Sequence, residues 1–215
     1  LLRFDGAAHE AAVFCNGVEA GRHACGYTAF TVDLTEHVVF GTENTIDVRL
    51  DTRESLNIPP FGSVIDYLCY GGLYREVTLE VRECGYIQQA LLENTGLREI
   101  RLRISSESDN VATYIIDAEG RVAASAAGKE FTLSVPNCRL WTLESPVLYT
   151  ARIRAYEADK VIDERCIRFG FRTVRFENDG FYLNGEKVKL RGLNRHQSYP
   201  YVGYAMPASM QAFDA

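Results

Sequence analysis

Apolar and polar residues alternate with a period of two along most of this chain. Ile46, Val48 and Leu50 oppose Asp47, Arg49 and Asp51; Val77, Leu79 and Val81 oppose Thr78, Glu80 and Arg82; Ile100, Leu102 and Ile104 oppose Arg101 and Arg103. A strand sends successive side chains to opposite faces, so this pattern predicts half-buried antiparallel strands. The same pattern recurs at 148–156 and 161–171, and no window before about residue 205 carries a long helical stripe. Two Asn-Gly steps, Asn16-Gly17 and Asn184-Gly185, each lie between short apolar runs. Type I′ turns need positive φ at both central residues, so both steps predict tight hairpins. The expected fold is mainly β.

The strands fall into groups. A first β unit spans 1–82 and closes with the Gly71-Gly72 turn and a strand from Tyr74 to Arg82. A second spans 83–171, with six or seven short strands separated by turn clusters such as Asp117-Ala118-Glu119-Gly120, which fits an immunoglobulin-like β-sandwich. A third span, 172–215, holds a connector from Arg172 to Asp179, the Asn184 hairpin, a strand Val188–Leu193, a Tyr/Pro-rich loop and a helix start with Pro207 in its first turn. The opening LLRFDGAAHE reads as the middle of a strand, and a lone strand with half a helix has nothing to bury its apolar face against. A chain cut at both ends is therefore the expectation.

Composition narrows the function classes. With 215 residues, 47% hydrophobic and 24% charged, two modest domains are expected, and no apolar run is long enough to cross a bilayer. The net charge of −6 is scattered, without a basic patch, which argues against nucleic acid. The first residues do not form a signal peptide, and a cytoplasmic location is the expectation. The six cysteines (Cys15, Cys25, Cys69, Cys84, Cys138, Cys166) stand singly, without a CxxC pair, and are expected as buried free thiols. His9, His23, His37 and His196 do not supply the short spacing of a zinc site.

Four motifs then occur in order: IPPFGSVIDYLCYGGLYR from Ile58 to Arg75, WTLESPVLYTARIR from Trp141, RFGFRTVRF from Arg168, and FYLNGEKVKLRGLNRHQSYPYVGYAMP from Phe181 to Pro207. Together they resemble glycoside hydrolase family 2. The resemblance implies a jelly-roll-like sugar-binding domain, N-terminally incomplete here, followed by the immunoglobulin-like β-sandwich and then the first strand of a truncated TIM barrel. The Asn-Arg-His step at 194–196 resembles β-galactosidases more than β-glucuronidases. One departure is Gln197, where many β-galactosidases have Glu.

Retaining glycosidases use two carboxyl groups about 5 Å apart, one as nucleophile and one as acid/base. The resemblance implies two glutamates on later barrel strands, the acid/base one preceded by Asn, and this sequence contains no Asn-Glu dipeptide. No catalytic residue is assigned, and the chain itself is expected to hydrolyse nothing. The resemblance implies substrate contacts for His196, just past the end of the expected first barrel strand, and for Asp66, directly or through an ion. A lone histidine is more often structural, and an acid in a Gly-flanked loop more often a surface group; the motifs shift both towards the sugar. Asn194 is a further substrate-binding candidate, and it and Arg195 serve equally well as loop braces.

Tyr199, Tyr201 and Tyr204 either form an apolar wall for a sugar ring or simply cover the barrel mouth. Trp141, the only tryptophan, reads as a sandwich anchor, and Arg75 and Arg172 read as braces at domain junctions. The implied parent is a homo-oligomeric enzyme acting on terminal β-D-galactosides, with no organic cofactor in this chain and a Mg or Na ion in the full-length enzyme. Alternatives are a β-glucuronidase or β-mannosidase of the same family, and a non-catalytic carbohydrate-binding β-sandwich protein.

Overall fold

The computed structural model describes residues 1–59 and 68–214. The chain divides into two compact units, Leu1–Val81 with Leu193–Ala215, and Arg82–Gly192. The sandwich-side unit thus takes in residues 172–192, which the motif order grouped with the barrel start.

In the first unit, β1 (Leu2–Phe4), β2 (Ala7–Ala8), β3 (Glu10–Cys15), β4 (Val18–Ala24), β5 (Phe30–Val32), β6 (Ile46–Asp51), β7 (Gly72–Leu73) and β8 (Val77–Leu79) form antiparallel sheets of order β5-β1-β8, β4-β3-β6 and β2-β7. The first two sheets enclose Leu2, Phe4, Val13, Cys15, Val32 and Leu34. Phe4 stacks on Phe30 with ring centroids 4.7 Å apart. The β3–β4 hairpin turns at Asn16 and Gly17, with φ of 52° and 80°. The Asn16 side chain also holds the neighbouring loop: its amide donates to the His37 carbonyl at 2.9 Å, and its oxygen accepts from Thr45 N at 3.0 Å.

The alternation over Val77, Leu79 and Val81 does not produce a half-buried strand, because these side chains are 42%, 63% and 88% exposed. Val77 and Leu79 pair with Phe4 and Leu2 in register and share their face. They lie at the sheet edge, however, outside the cluster that buries their partners.

In the second unit, β9 (Ile87–Gly96), β10 (Glu99–Ser106), β11 (Asn110–Ile116), β12 (Val122–Ala127), β13 (Glu130–Ser134), β14 (Tyr149–Glu157) and β15 (Lys160–Phe169) form two antiparallel sheets, β13-β10-β9 and β12-β11-β14-β15. Seven strands in a three-on-four arrangement make the immunoglobulin-like sandwich that the alternation predicts. Ile100, Leu102, Ile115, Ile153 and Phe171 are fully buried between the sheets, each worth about 1.5–3 kcal/mol of hydrophobic stabilisation. Phe171 meets Tyr149 and Phe169 edge to face, both at 5.0 Å. Across the sandwich, the nearly buried Asp163 accepts from Ile87 N at 2.9 Å and pairs with Arg82 at 3.1 Å.

The sandwich is followed by a small meander, β16 (Val174–Glu177), β17 (Gly180–Leu183) and β18 (Glu186–Val188). The expected connector Arg172–Asp179 is therefore largely a strand, with Val174 registered on Leu183. The second Asn-Gly hairpin turns at Asn184 and Gly185, with φ of 51° and 88°. The strand expected over Val188–Leu193 is not formed: pairing stops at Val188, and 189–198 are irregular. A strand exists through its ladder bonds, and among the described residues none beyond Val188 is paired with β17. The chain then returns to the first unit through a loop ending at α1 (Ala208–Asp214), whose first backbone bonds go to the Pro207 carbonyl.

Other expectations need revision. Only Cys15 and Cys138 are buried; Cys25 and Cys69 are intermediate, and Cys84 and Cys166 are exposed, because Cys84 sits in a loop and Cys166 on the outer face of β15 beside Glu164. All six are free thiols. Trp141 is half-buried at the sandwich end, under the Arg172 guanidinium at 4.8 Å, while Phe171, Tyr149 and Phe169 anchor the core. No helix of the described residues is long and apolar enough to cross a membrane.

Candidate functional site

A cleft of about 590 Å³ opens in the first unit, lined among others by Asp5, Tyr74, Arg75, Arg195, His196 and Tyr204. Three segments supply these side chains: the turn after β1, the segment after β7, and the loop before α1. The first two can approach only because residue 6 is glycine. A Cβ there would lie 2.8 Å from Tyr74 Cζ and 2.9 Å from Arg75 Cγ. Backbone pairing of Asp5 N with the Glu76 carbonyl at 3.0 Å fixes this junction.

The floor is polar but largely self-satisfied. The Tyr74 hydroxyl donates to the Gly26 carbonyl, and burial pushes its pKa above the usual phenol value. Arg75 lies over the Tyr74 ring at 4.8 Å and donates to the carbonyls of Tyr74 and Tyr204. Asp5, the one carboxylate among the described lining residues, is bonded to Arg3 Nε at 2.8 Å. Arg195 pairs with Asp214 and donates to Gln211 Oε1 at 3.2 Å, which ties its loop to α1.

The cleft brings together some of the residues singled out above. His196 lines it, with Gln197 and Ser198 beside it. Asn194 is exposed and is not among the lining residues. Asp66 lies outside the described residues. Of the three loop tyrosines only Tyr204 faces the cleft, packing against Tyr70 at 4.7 Å; Tyr201 is fully exposed, and Tyr199 bridges Gly203 through backbone bonds. Arg75 braces the loop within the first unit and Arg172 stacks on Trp141 within the second. The motif reading missed Asp5 and Tyr74. Tyr74 stands one residue from a motif arginine, and nothing local in the sequence marks Asp5.

Such a surface offers an imidazole, an amide, a hydroxyl and aromatic faces, which suit the hydroxyls and apolar C–H faces of a sugar. Among the described residues no group of three or more His, Cys, Asp or Glu is placed to hold a metal ion.

Residues 77–172 match the family model described as glycosyl hydrolases family 2. Over its whole length the chain is 37% identical to the β-galactosidase of Thermoanaerobacter pseudethanolicus and, again over its whole length, 37% identical to that of Thermoanaerobacterium thermosulfurigenes. The chain belongs to glycosyl hydrolase family 2. It covers 31% and 33% of those two relatives, about a third of their length. Among solved family 2 structures, the β-glucuronidase from Ruminococcus gnavus in complex with D-glucuronic acid superimposes with a TM-score of 0.86 at 26% identity, covering 99% of this chain and 40% of that one. The mainly β architecture is thus that of family 2 domains, and the relatives on both sides of the comparison are glycosidases.

Proposed function

We propose that this chain is the sugar-recognising part of a retaining glycoside hydrolase that releases terminal β-D-galactose through a covalent intermediate. The observation that carries the reading is the placement of His196, from the Asn-Arg-His step, on a cleft with Tyr74 and Tyr204. The identity to two β-galactosidases along the whole chain supports the substrate. The imidazole would hydrogen-bond a sugar hydroxyl, and such a bond accelerates hydrolysis to the extent that it strengthens as the ring distorts. The two carboxyl groups of the reaction lie elsewhere in the parent protein, so the chain alone hydrolyses nothing.

A β-glucuronidase is the second reading, favoured by the solved neighbour that holds D-glucuronic acid. Of the two arginines lining the described cleft, Arg195 pairs with Asp214, whereas Arg75 donates to backbone carbonyls and keeps its charge, so the described cleft does not by itself separate the two sugars. Activity of the full-length protein towards aryl β-D-galactosides and β-D-glucuronides decides between the two. A protein active on glucuronides and inert on galactosides sinks the galactosidase reading. Galactose binding to the isolated chain at micromolar affinity would instead support a self-contained carbohydrate-binding protein.

A further inference from the structure

The loop that carries His196 is clasped at its far end, and we infer that Tyr204, held by Arg75 and Tyr70, is a positioning residue that sets where His196 meets the sugar. The inference rests on the glycosidase reading for its consequence and on geometry alone for the clasp.

Four observations converge on Tyr204. Its carbonyl accepts from the Arg75 guanidinium, and its hydroxyl donates to the Leu68 carbonyl at 2.6 Å. Its ring meets Tyr70 edge to face at 4.7 Å and Tyr74 at 5.8 Å. Next to it, Gly203 has a φ of +53°, and a Cβ there would fall 2.9 Å from the Tyr70 ring, so the backbone itself is seated on that ring. Finally, Tyr199 and Gly203 exchange backbone bonds of 3.2 and 2.9 Å, closing residues 199–203 into a small ring. Motion at Tyr204 is therefore passed to Tyr199, three residues from His196.

The other end is fixed as well. Arg195, adjacent to His196, is tied to Gln211 and Asp214 of α1. His196 itself lies on an irregular stretch without strand pairing. These two attachments hold the backbone on both sides of His196, and small misplacements of a substrate-binding group cost large factors in turnover efficiency.

Two experiments test this. In the chain as it stands, hydrogen exchange is followed for wild type, Tyr204→Phe and Arg75→Lys. Losing one hydrogen bond of the clasp should speed exchange at the Tyr199 and Gly203 amides about threefold to tenfold, with β10 and β14 unchanged. Unchanged exchange at 199–203, or equal acceleration throughout the chain, overturns the clasp. In the full-length enzyme, Tyr204→Phe should lower kcat and kcat/KM about threefold to tenfold with KM within about twofold, on whichever glycoside the enzyme hydrolyses, because it misplaces a group whose bond strengthens in the transition state. In a His196→Ala background the same substitution should add less than about twofold, since it acts through His196. Full additivity would show a merely structural role. If the full-length protein hydrolyses no glycoside, the functional reading fails while the exchange experiment still decides the clasp.

Discussion

Replacing Asn184 separates two roles that one residue plays in the second unit. Its backbone takes φ of 51° in the hairpin turn, and its side chain accepts from Thr173 N at 3.0 Å and donates to the Trp141 carbonyl at 3.0 Å. Those two bonds join the meander, the strand entering it and the sandwich end. At about 1 kcal/mol each they contribute about 2 kcal/mol. Asn184→Gly keeps the left-handed turn and loses both bonds, so it should destabilise the unit by about 2 kcal/mol. Asn184→Ala loses the same bonds and leaves a Cβ in the left-handed region without the polar side chain that lets asparagine sit there, so it should be about 1 kcal/mol less stable than the glycine variant. For a unit of this size, 2 kcal/mol corresponds to roughly 8–16 °C in Tm. Urea denaturation with a constant slope is the assay. A glycine variant as stable as wild type would refute the side-chain bracing, and an alanine variant equal to glycine would refute the backbone argument.

Gly170→Ala should cost about 1–3 kcal/mol, because the added Cβ would lie 2.7 Å from Trp141 Cβ; the fluorescence of this single tryptophan reports the displacement, and an unchanged spectrum and stability would contradict it. Asp163→Ala strands the Ile87 N–H and should lose about 2–3 kcal/mol, whereas Asp163→Asn keeps an acceptor and should recover about half in urea melts. Acid should weaken the chain. Among the described residues hydrogen bonds hold five carboxyls below the usual range: Glu19 by Arg22, Asp33 by the Thr35 side chain, Asp51 by Arg53, Asp117 by the Arg121 backbone N–H, and Asp179 by the Tyr182 hydroxyl. Folded pKa values below the unfolded ones mean that this stabilisation is complete above about pH 4 and is lost as pH falls through the folded values. Urea midpoints that are the same at pH 5 and pH 3 would contradict it.

Local pattern carried most of the fold and rather less of the site. Both Asn-Gly turns were readable because positive φ is a property of two adjacent residues. The sandwich was readable because each of its central strands buries one whole face, as in β14, where Tyr149, Ala151, Ile153 and Ala155 are buried. The strand over Val188–Leu193 was not, since alternation shows what a strand would bury and not whether a neighbour pairs with it. Val77 and Leu79 failed for a related reason: the face they share with Phe4 and Leu2 is covered in the middle and open at the edge. At the site, His196 was marked by its motif, whereas Asp5 reaches the cleft through Gly6 and a backbone bond to Glu76, a tertiary arrangement with no local signature. Asn184 was read for its turn, and its side-chain bonds to Thr173 and Trp141 depend on how the sandwich ends.

The central claim is that the cleft bearing His196 recognises a neutral β-galactoside for a family 2 hydrolase. The measurement that tests it most directly is kcat/KM of the full-length protein on an aryl β-D-galactoside and on the matching β-D-glucuronide, for wild type and His196→Ala. The account predicts a strong preference for the galactoside and a loss of about 100-fold or more in kcat/KM on substitution, the scale of removing a hydrogen bond that strengthens in the transition state. A preference for the glucuronide, or a His196→Ala enzyme as efficient as wild type, would contradict it.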